Sequence, residues 1–122
     1  MTRREERIEA FKIVFQNLFV KKDDLFDDGN IKSKYINELI STVENNKENL
    51  INDIKNAASS EKFARFYVID LAILLVALAE IKFNISPKEV AVNEAVEIAK
   101  KYSTEESPNF INGFLKAIIN GK

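Results

Sequence analysis

The sequence predicts an all-α fold of six to seven helices, and three observations predict it. Apolar residues recur at helical spacing in segment after segment. No stretch alternates apolar and polar residues as a half-buried strand does. One run, Phe66 to Ala79 (FYVIDLAILLVALA), is apolar on every side and interrupted only by Asp70. A helix with one apolar stripe lies on a surface, whereas one apolar all round has neighbours on most sides. The run is too long for a usual strand, and no Gly or Pro punctuates it. Its uncharged part, Leu71 to Ala79, is far short of the roughly 20 residues a membrane span needs. It is read as the central buried helix.

The other elements follow in order. Residues 4–22 place Ile8, Phe11, Phe15, Leu18 and Phe19 on one helical face, with Val14 at its edge. Arg3, Arg4 and Arg7 lie on the side continuous with that face, one turn before it begins; Glu5, Glu6 and Glu9 lie on the other. Cations at a helix N-terminus oppose the macrodipole by a few tenths of a kcal/mol, so these arginines do not stabilise the helix. They are either solvated end charges or a basic binding tip. Residues 23–30 (DDLFDDGN) read as a connector with Gly-Asn turn chemistry. They lack the spaced ligands and closing Glu of a calcium loop.

A second helix over 31–44 turns Tyr35, Ile36, Leu39, Ile40 and Val43 inward. Asn45-Asn46-Lys47 is expected to kink or break it, and a short third helix carries Leu50, Ile51, Ile54, Ala57 and Ala58. Ser59-Ser60 then caps the long helix, over roughly 61–83. In Ser86-Pro87-Lys88-Glu89 the expectation is a capping box, with Ser86 as N-cap and Pro87 at the first helical position. The helix over 87–102 carries Ala91, Ala95, Ile98, Ala99 and Tyr102 on its inner face, widened by Val92 and Val96. Lys100 and Lys101 suit its C-terminal dipole. Ser107-Pro108 repeats the cap-plus-proline signal and opens a final helix to about Ile119 with Ile111, Phe114, Leu115 and Ile118 as its core stripe. Gly113, with Ala117 four residues on, leaves a shallow strip beside Phe110.

The chain has 122 residues, expected as a single domain over 1–122. Area scaling lets such a chain bury roughly two-thirds of the surface its unfolded form exposes. Its net charge of −1 and pI near 5.6 argue against indiscriminate nucleic-acid binding but leave room for a local basic patch. It has neither His nor Cys, so the commonest general base, the usual nucleophile–base pairs and most transition-metal sites are missing. The three glycines are isolated and form no phosphate loop. Asp70 is the one acid in an apolar setting, and a catalytic site needs several converging groups. The chain is therefore expected not to be an enzyme and to need no cofactor or metal. MTRREER is followed by an amphipathic segment and not by a signal peptide's apolar region, so the expected location is cytoplasmic.

The stretch AVNEAVEIAKKYSTEESPNFINGFL resembles the C-terminal signature of the NusB family of transcription antitermination factors. IDLAILLVALAEI is similar to that family's preceding helix, YINELISTVENNKENLINDI to its second and third helices, and RREERIEAFKIVFQ to its arginine-rich first helix. The resemblance implies two packed helical bundles, about 1–58 and 59–122, in one RNA-binding domain. It implies binding of a single-stranded boxA-type RNA together with the ribosomal protein NusE, within an antitermination assembly on RNA polymerase that serves ribosomal RNA transcription. It leaves a homodimer open, since some relatives self-associate through the RNA-binding face. By analogy the RNA side holds Arg3, Arg4 and Arg7, with Lys12 adding a cation where Gln is frequent. The same analogy adds Glu106 and Phe110. Phe110 suits either stacking on a base or packing beside Gly113. Glu106 would accept a base amino proton or merely belong to the acidic turn. Phe15 and Asp70 are implied NusE contacts.

Besides Lys12, the chain departs from the family at three places. Glu5 stands where many relatives have a basic residue, and Leu71 and Leu75 stand where they often have arginine. Those leucines are expected to replace RNA contacts by apolar partner surface. A divergent interaction module with weak or lost RNA binding is the alternative reading.

Overall fold

In a computed structural model, which describes residues 1–20 and 33–121, the chain forms six helices and no strand among those residues. They are α1 (Arg3–Asn17), α2 (Lys34–Ala57), α3 (Ser60–Phe63), α4 (Val68–Lys82), α5 (Lys88–Tyr102) and α6 (Ser107–Ile119). The apolar run forms α4, which packs against α1, α2, α5 and α6. Every residue from Ala72 to Glu80 is buried. One continuous core joins it to Phe11 and Val14 of α1, Leu39, Val43, Leu50 and Ile54 of α2, Ile98 of α5, and Ile111 and Leu115 of α6. The expected connector at 23–30 lies outside the described residues. Among those that are described, no helix is long and apolar enough to cross a membrane.

Local chemistry explains where the helices begin and end. Thr2 and Glu5 form a capping box at α1: the Thr2 hydroxyl accepts from the Glu5 N–H, and the Glu5 carboxylate accepts from the Thr2 N–H. The helix stops at Asn17, short of the expected 22. Asn45-Asn46-Lys47 does not break α2. The inward stripe keeps its phase from Val43 to Leu50 and Ile54, two turns and then one, so the tertiary face is continuous across the polar triplet. Asn46 donates its amide to the Thr42 carbonyl at 2.8 Å, and Lys47 pairs with Glu44 at 3.0 Å.

The expected long helix over 61–83 is two helices. The chain leaves α3 through three-residue-spaced bonds at Arg65 and Phe66. This turns Phe63 and Phe66 inward, and the Phe66 ring meets Phe110 and Phe114 edge-on at 5.0 and 5.6 Å. Aromatic burial beats helical continuity here.

Two expected caps are also replaced. Ser86 precedes Pro87, the residue at the N-cap of α5, and makes no cap bond; its hydroxyl donates to Glu80 at 2.8 Å instead. The preceding helix ends in a Schellman motif, with Asn84 at φ 54° where Gly is usual and the Ile85 N–H returning to the Glu80 carbonyl. Ser107 lies inside α6, and its hydroxyl donates to Asp70 at 2.9 Å. Thr104 takes over the N–H of Ser107 at 3.2 Å. Gly113 is exposed, and beyond its neighbours and its own helix backbone nothing lies within 4 Å of where a Cβ would stand, so the shallow strip faces open space.

Candidate nucleic-acid interface

The three arginines that share one side of α1 meet three different fates. Arg3 is exposed, its guanidinium 3.9 Å from the centre of the Tyr35 ring and 3.3 Å from Glu6. Arg4 is exposed and reaches α5, where it binds Glu94 in a fork: Nε to Oε1 at 3.0 Å and Nη2 to Oε2 at 2.8 Å. Arg7 is buried, only 5% exposed. Its Nε donates to Glu80 Oε1 at 2.7 Å, its Nη2 to the Ser86 hydroxyl at 3.1 Å, and its Nη1 lies 3.6 Å from Glu94. Arg7 is therefore not part of an accessible cationic tip. Continuity with the apolar face, which suggested the tip, instead carries Arg7 into the interior, where a buried charge must be paired.

Glu80 is the hub of this network and was not singled out from the sequence. It is 1% exposed and accepts from Arg7, Ser86 and the Tyr35 hydroxyl. Burial, followed by the bond to Glu80, pushes the Tyr35 phenol up to about 12, so it remains a donor at neutral pH. The readable signal was a carboxylate placed directly after an apolar run.

The hydrogen bonds from Arg4 hold the Glu94 carboxyl below the usual carboxylate range. A carboxyl with a depressed folded-state pKa contributes stability above its unfolded pKa, about 4.3. That contribution is lost as pH falls through the lower folded value. Melting temperature should accordingly fall on acidification below about pH 4.5, and Arg4→Gln should flatten that fall. Thermal melts of both proteins from neutral to acid pH test this; an unchanged slope in Arg4→Gln overturns it.

The cations that remain open lie farther along. Lys12 and Lys101 flank the half-buried Tyr102 ring, their ammonium nitrogens 5.7 and 5.4 Å from its centre. Lys12 is also 3.9 Å from Glu9, an exposed pair of little energetic weight. A groove of about 390 Å³ between α1 and α5 is lined by Arg4, Ile8, Glu97, Ile98, Lys100 and Lys101. An aromatic flanked by ammonium groups can hold a base face and its phosphates. Lys101 and Tyr102 entered the sequence reading only as a dipole partner and a core residue; the run KKY was the available signal.

Phe110 sits elsewhere. Half-buried on α6, it lies 5.0 Å from Phe66 and 5.6 Å from Phe114, and these rings line a second groove of about 400 Å³ with Ser59, Lys62 and Arg65. Both the packing and the stacking readings of Phe110 therefore have a structural basis. Glu106 is exposed at the α6 N-cap position and makes no cap bond. Phe15 is half-buried between Phe11 and Phe19, at 6.4 and 5.2 Å.

Two expected partner contacts are corrected. Asp70 is 3% exposed, and its two oxygens accept from the Ser103 and Ser107 hydroxyls at 2.6 and 2.9 Å. It fastens α4 to the α5–α6 turn and presents no carboxylate to a partner. Leu75 is fully buried in the centre of α4, so it cannot be apolar surface; Leu71, one turn earlier, is half-buried.

The sequence pattern of the NusB family matches residues 4–120. This chain belongs to the NusB family. Among relatives, the transcription antitermination protein NusB of Clostridium novyi (strain NT) is 36% identical, over 98% of each chain. That of Clostridium botulinum (strain Loch Maree / Type A3) is 39% identical over 94% of this chain and 83% of its own length. Among solved structures, T. maritima NusB superposes with a TM-score of 0.85 at 31% identity, covering 98% of this chain and 92% of its own. A structure of antitermination factors NusB and NusE in complex with dsRNA superposes over 100% of both chains with a TM-score of 0.79. At 24% identity it shows a shared NusB fold and nothing finer.

Proposed function

We propose that this chain is a transcription antitermination factor, a non-enzymatic cytoplasmic adaptor that binds boxA-type single-stranded RNA together with ribosomal protein NusE on transcribing RNA polymerase. The observation that carries this reading is similarity along 98% of the chain to a relative named as a transcription antitermination protein. The ring of Tyr102 between Lys12 and Lys101 supports it with a surface suited to phosphates and a base. In this reading Arg3, Arg4, Lys12, Lys101 and Tyr102 form the RNA side, with Glu106 and Phe110 as a separate element on α6. Phe15 and the exposed part of Leu71 serve the protein partner.

A labelled boxA-type RNA titrated at low salt, with and without NusE, tests it. Binding should be tighter with NusE and should weaken as salt rises through counterion release. Lys12→Ala and Lys101→Ala should each weaken binding and lower the salt slope by about one. A duplex of the same sequence, added as competitor, should displace the strand poorly. If neither RNA nor NusE binds, the adaptor reading fails.

A second reading, an interaction module with weak RNA binding, is favoured by one observation: Arg7 and Arg4 are already occupied by Glu80 and Glu94. Arg3→Ala with Arg4→Ala separates the two, because only the first reading predicts a large loss of RNA affinity.

A further inference from the structure

A groove of about 700 Å³ runs between α5 and α6 and is used by none of the roles above. Its walls are two rows of side chains at helical spacing, Glu89, Asn93 and Lys100 on α5 and Asn109, Asn112 and Lys116 on α6. Three lysines line it, with Lys88 joining Lys100 and Lys116, against a single acid, Glu89. That local excess of positive charge stands out on a chain whose net charge is −1. Lys100 leans on Glu97 at 3.5 Å, while Lys88 and Lys116 have no partner among the described residues. The side-chain amides of Asn93 and Asn112 are likewise unused there. Val92, Val96 and Ile119 make an apolar floor beneath these polar groups.

We propose that this groove docks an extended acidic peptide segment of a protein partner. An amide side chain offers a donor and an acceptor together, which matches the N–H and C=O that an extended peptide backbone presents. The lysines complement carboxylates on that segment, and the floor receives its alternate aliphatic side chains. From Lys88 to Lys100 the groove is roughly 18 Å long at about 1.5 Å per helical residue. An extended chain covers that length in about six residues. Nucleic acid is the poorer occupant because no aromatic ring lines the groove. Strands without fixed sequence gain about 1–3 kcal/mol per base from stacking on such rings. The Tyr102 surface and the Phe110 groove have the rings that this one lacks.

The test uses the full chain and a fluorescein-labelled hexapeptide alternating glutamate with valine, at about 50 mM salt, where exposed charges are weakly screened. Anisotropy should show saturable binding, and the same peptide with glutamine for glutamate should bind about tenfold more weakly or worse. Lys88→Glu combined with Lys116→Glu should also weaken binding by about tenfold or more, whereas Lys34→Glu on α2 should change it less than about twofold. Heteronuclear NMR of the unsubstituted protein gives a readout independent of any variant: the side-chain amide resonances of Asn93 and Asn112 should shift on adding the peptide. The proposal is overturned if the acidic peptide does not bind. It is equally overturned if those amide resonances stay still, or if a uridine hexamer moves them and the peptide does not.

Discussion

Glu80→Ala is expected to lower the stability of the fold by about 3–5 kcal/mol, the typical cost of leaving one partner of a buried ion pair alone. For a chain of this length that corresponds to a fall in melting temperature of about 10–20 °C. The removed carboxylate is 1% exposed, and its loss strands the Arg7 guanidinium inside the protein and takes the acceptor from Tyr35 and Ser86. Arg7→Ala should cost a similar amount for the mirror reason. The double variant Arg7→Met, Glu80→Leu should be far milder than the sum, because no uncompensated charge remains. The Tyr35 and Ser86 hydroxyls, 3.3 Å apart, still have each other. Chemical denaturation of the unsubstituted protein, Arg7→Met, Glu80→Leu and their combination makes a double-mutant cycle. Additive costs would mean that the two side chains do not act as a pair.

Leu75→Arg is expected to be more damaging still, above about 4 kcal/mol, which leaves little folded protein. The family resemblance implied that Leu75 and Leu71 stand in place of arginines, yet here the two positions are not equivalent. Leu75 is fully buried between Ala72 and Ala79, which are themselves fully buried. Leu71 is half-buried at the start of the same helix, where a long side chain can lead its charge to solvent. Leu71→Arg should therefore cost no more than about 1 kcal/mol and should strengthen RNA binding under the proposed function. Thermal melts and RNA titration of the two variants check this. A native-like melt for Leu75→Arg would show that this face of α4 is turned outward.

The contrast between these leucines marks how far the sequence was legible. All-round apolarity and length placed the run at the centre, and Ala72 to Ala79 are buried as expected, whereas Tyr67 and Val68 near its start are exposed. Periodicity also set the inner stripes of α2 and α6 correctly, because a stripe at helical spacing has only one face to bury. It could not say whether Asn45-Asn46-Lys47 would interrupt α2. That depended on whether Val43 and Leu50 would meet the same partner, a long-range fact. The break between α3 and α4 likewise depended on Phe110 and Phe114, more than forty residues away in the chain, drawing Phe66 inward.

The site divided in the same way. The types of residue were readable: arginines at the start of α1, a basic pair before Tyr102, an aromatic on the last helix. Which charges stay free was not, because an arginine's availability depends on the carboxylate that the fold sets opposite it. Arg3, Arg4 and Arg7 look equivalent in sequence. Glu94 of α5 and Glu80 of α4 make them unequal. Ser86 and Ser107 were read as caps because they precede or adjoin prolines, yet tertiary acceptors, Glu80 and Asp70, took their hydroxyls.

By itself the sequence determined the helical class, the central helix, most of the inner faces and, through its C-terminal signature, the family; on α1 it misplaced Phe19, which is exposed, and underrated Val14, which is fully buried. Only the tertiary structure decided which polar groups would be spent in holding the helices together and which would remain for a partner. The physical reason is burial: an apolar stripe needs only to leave water, whereas a buried charge or hydroxyl must find a particular partner, and that partner is supplied by a distant part of the chain.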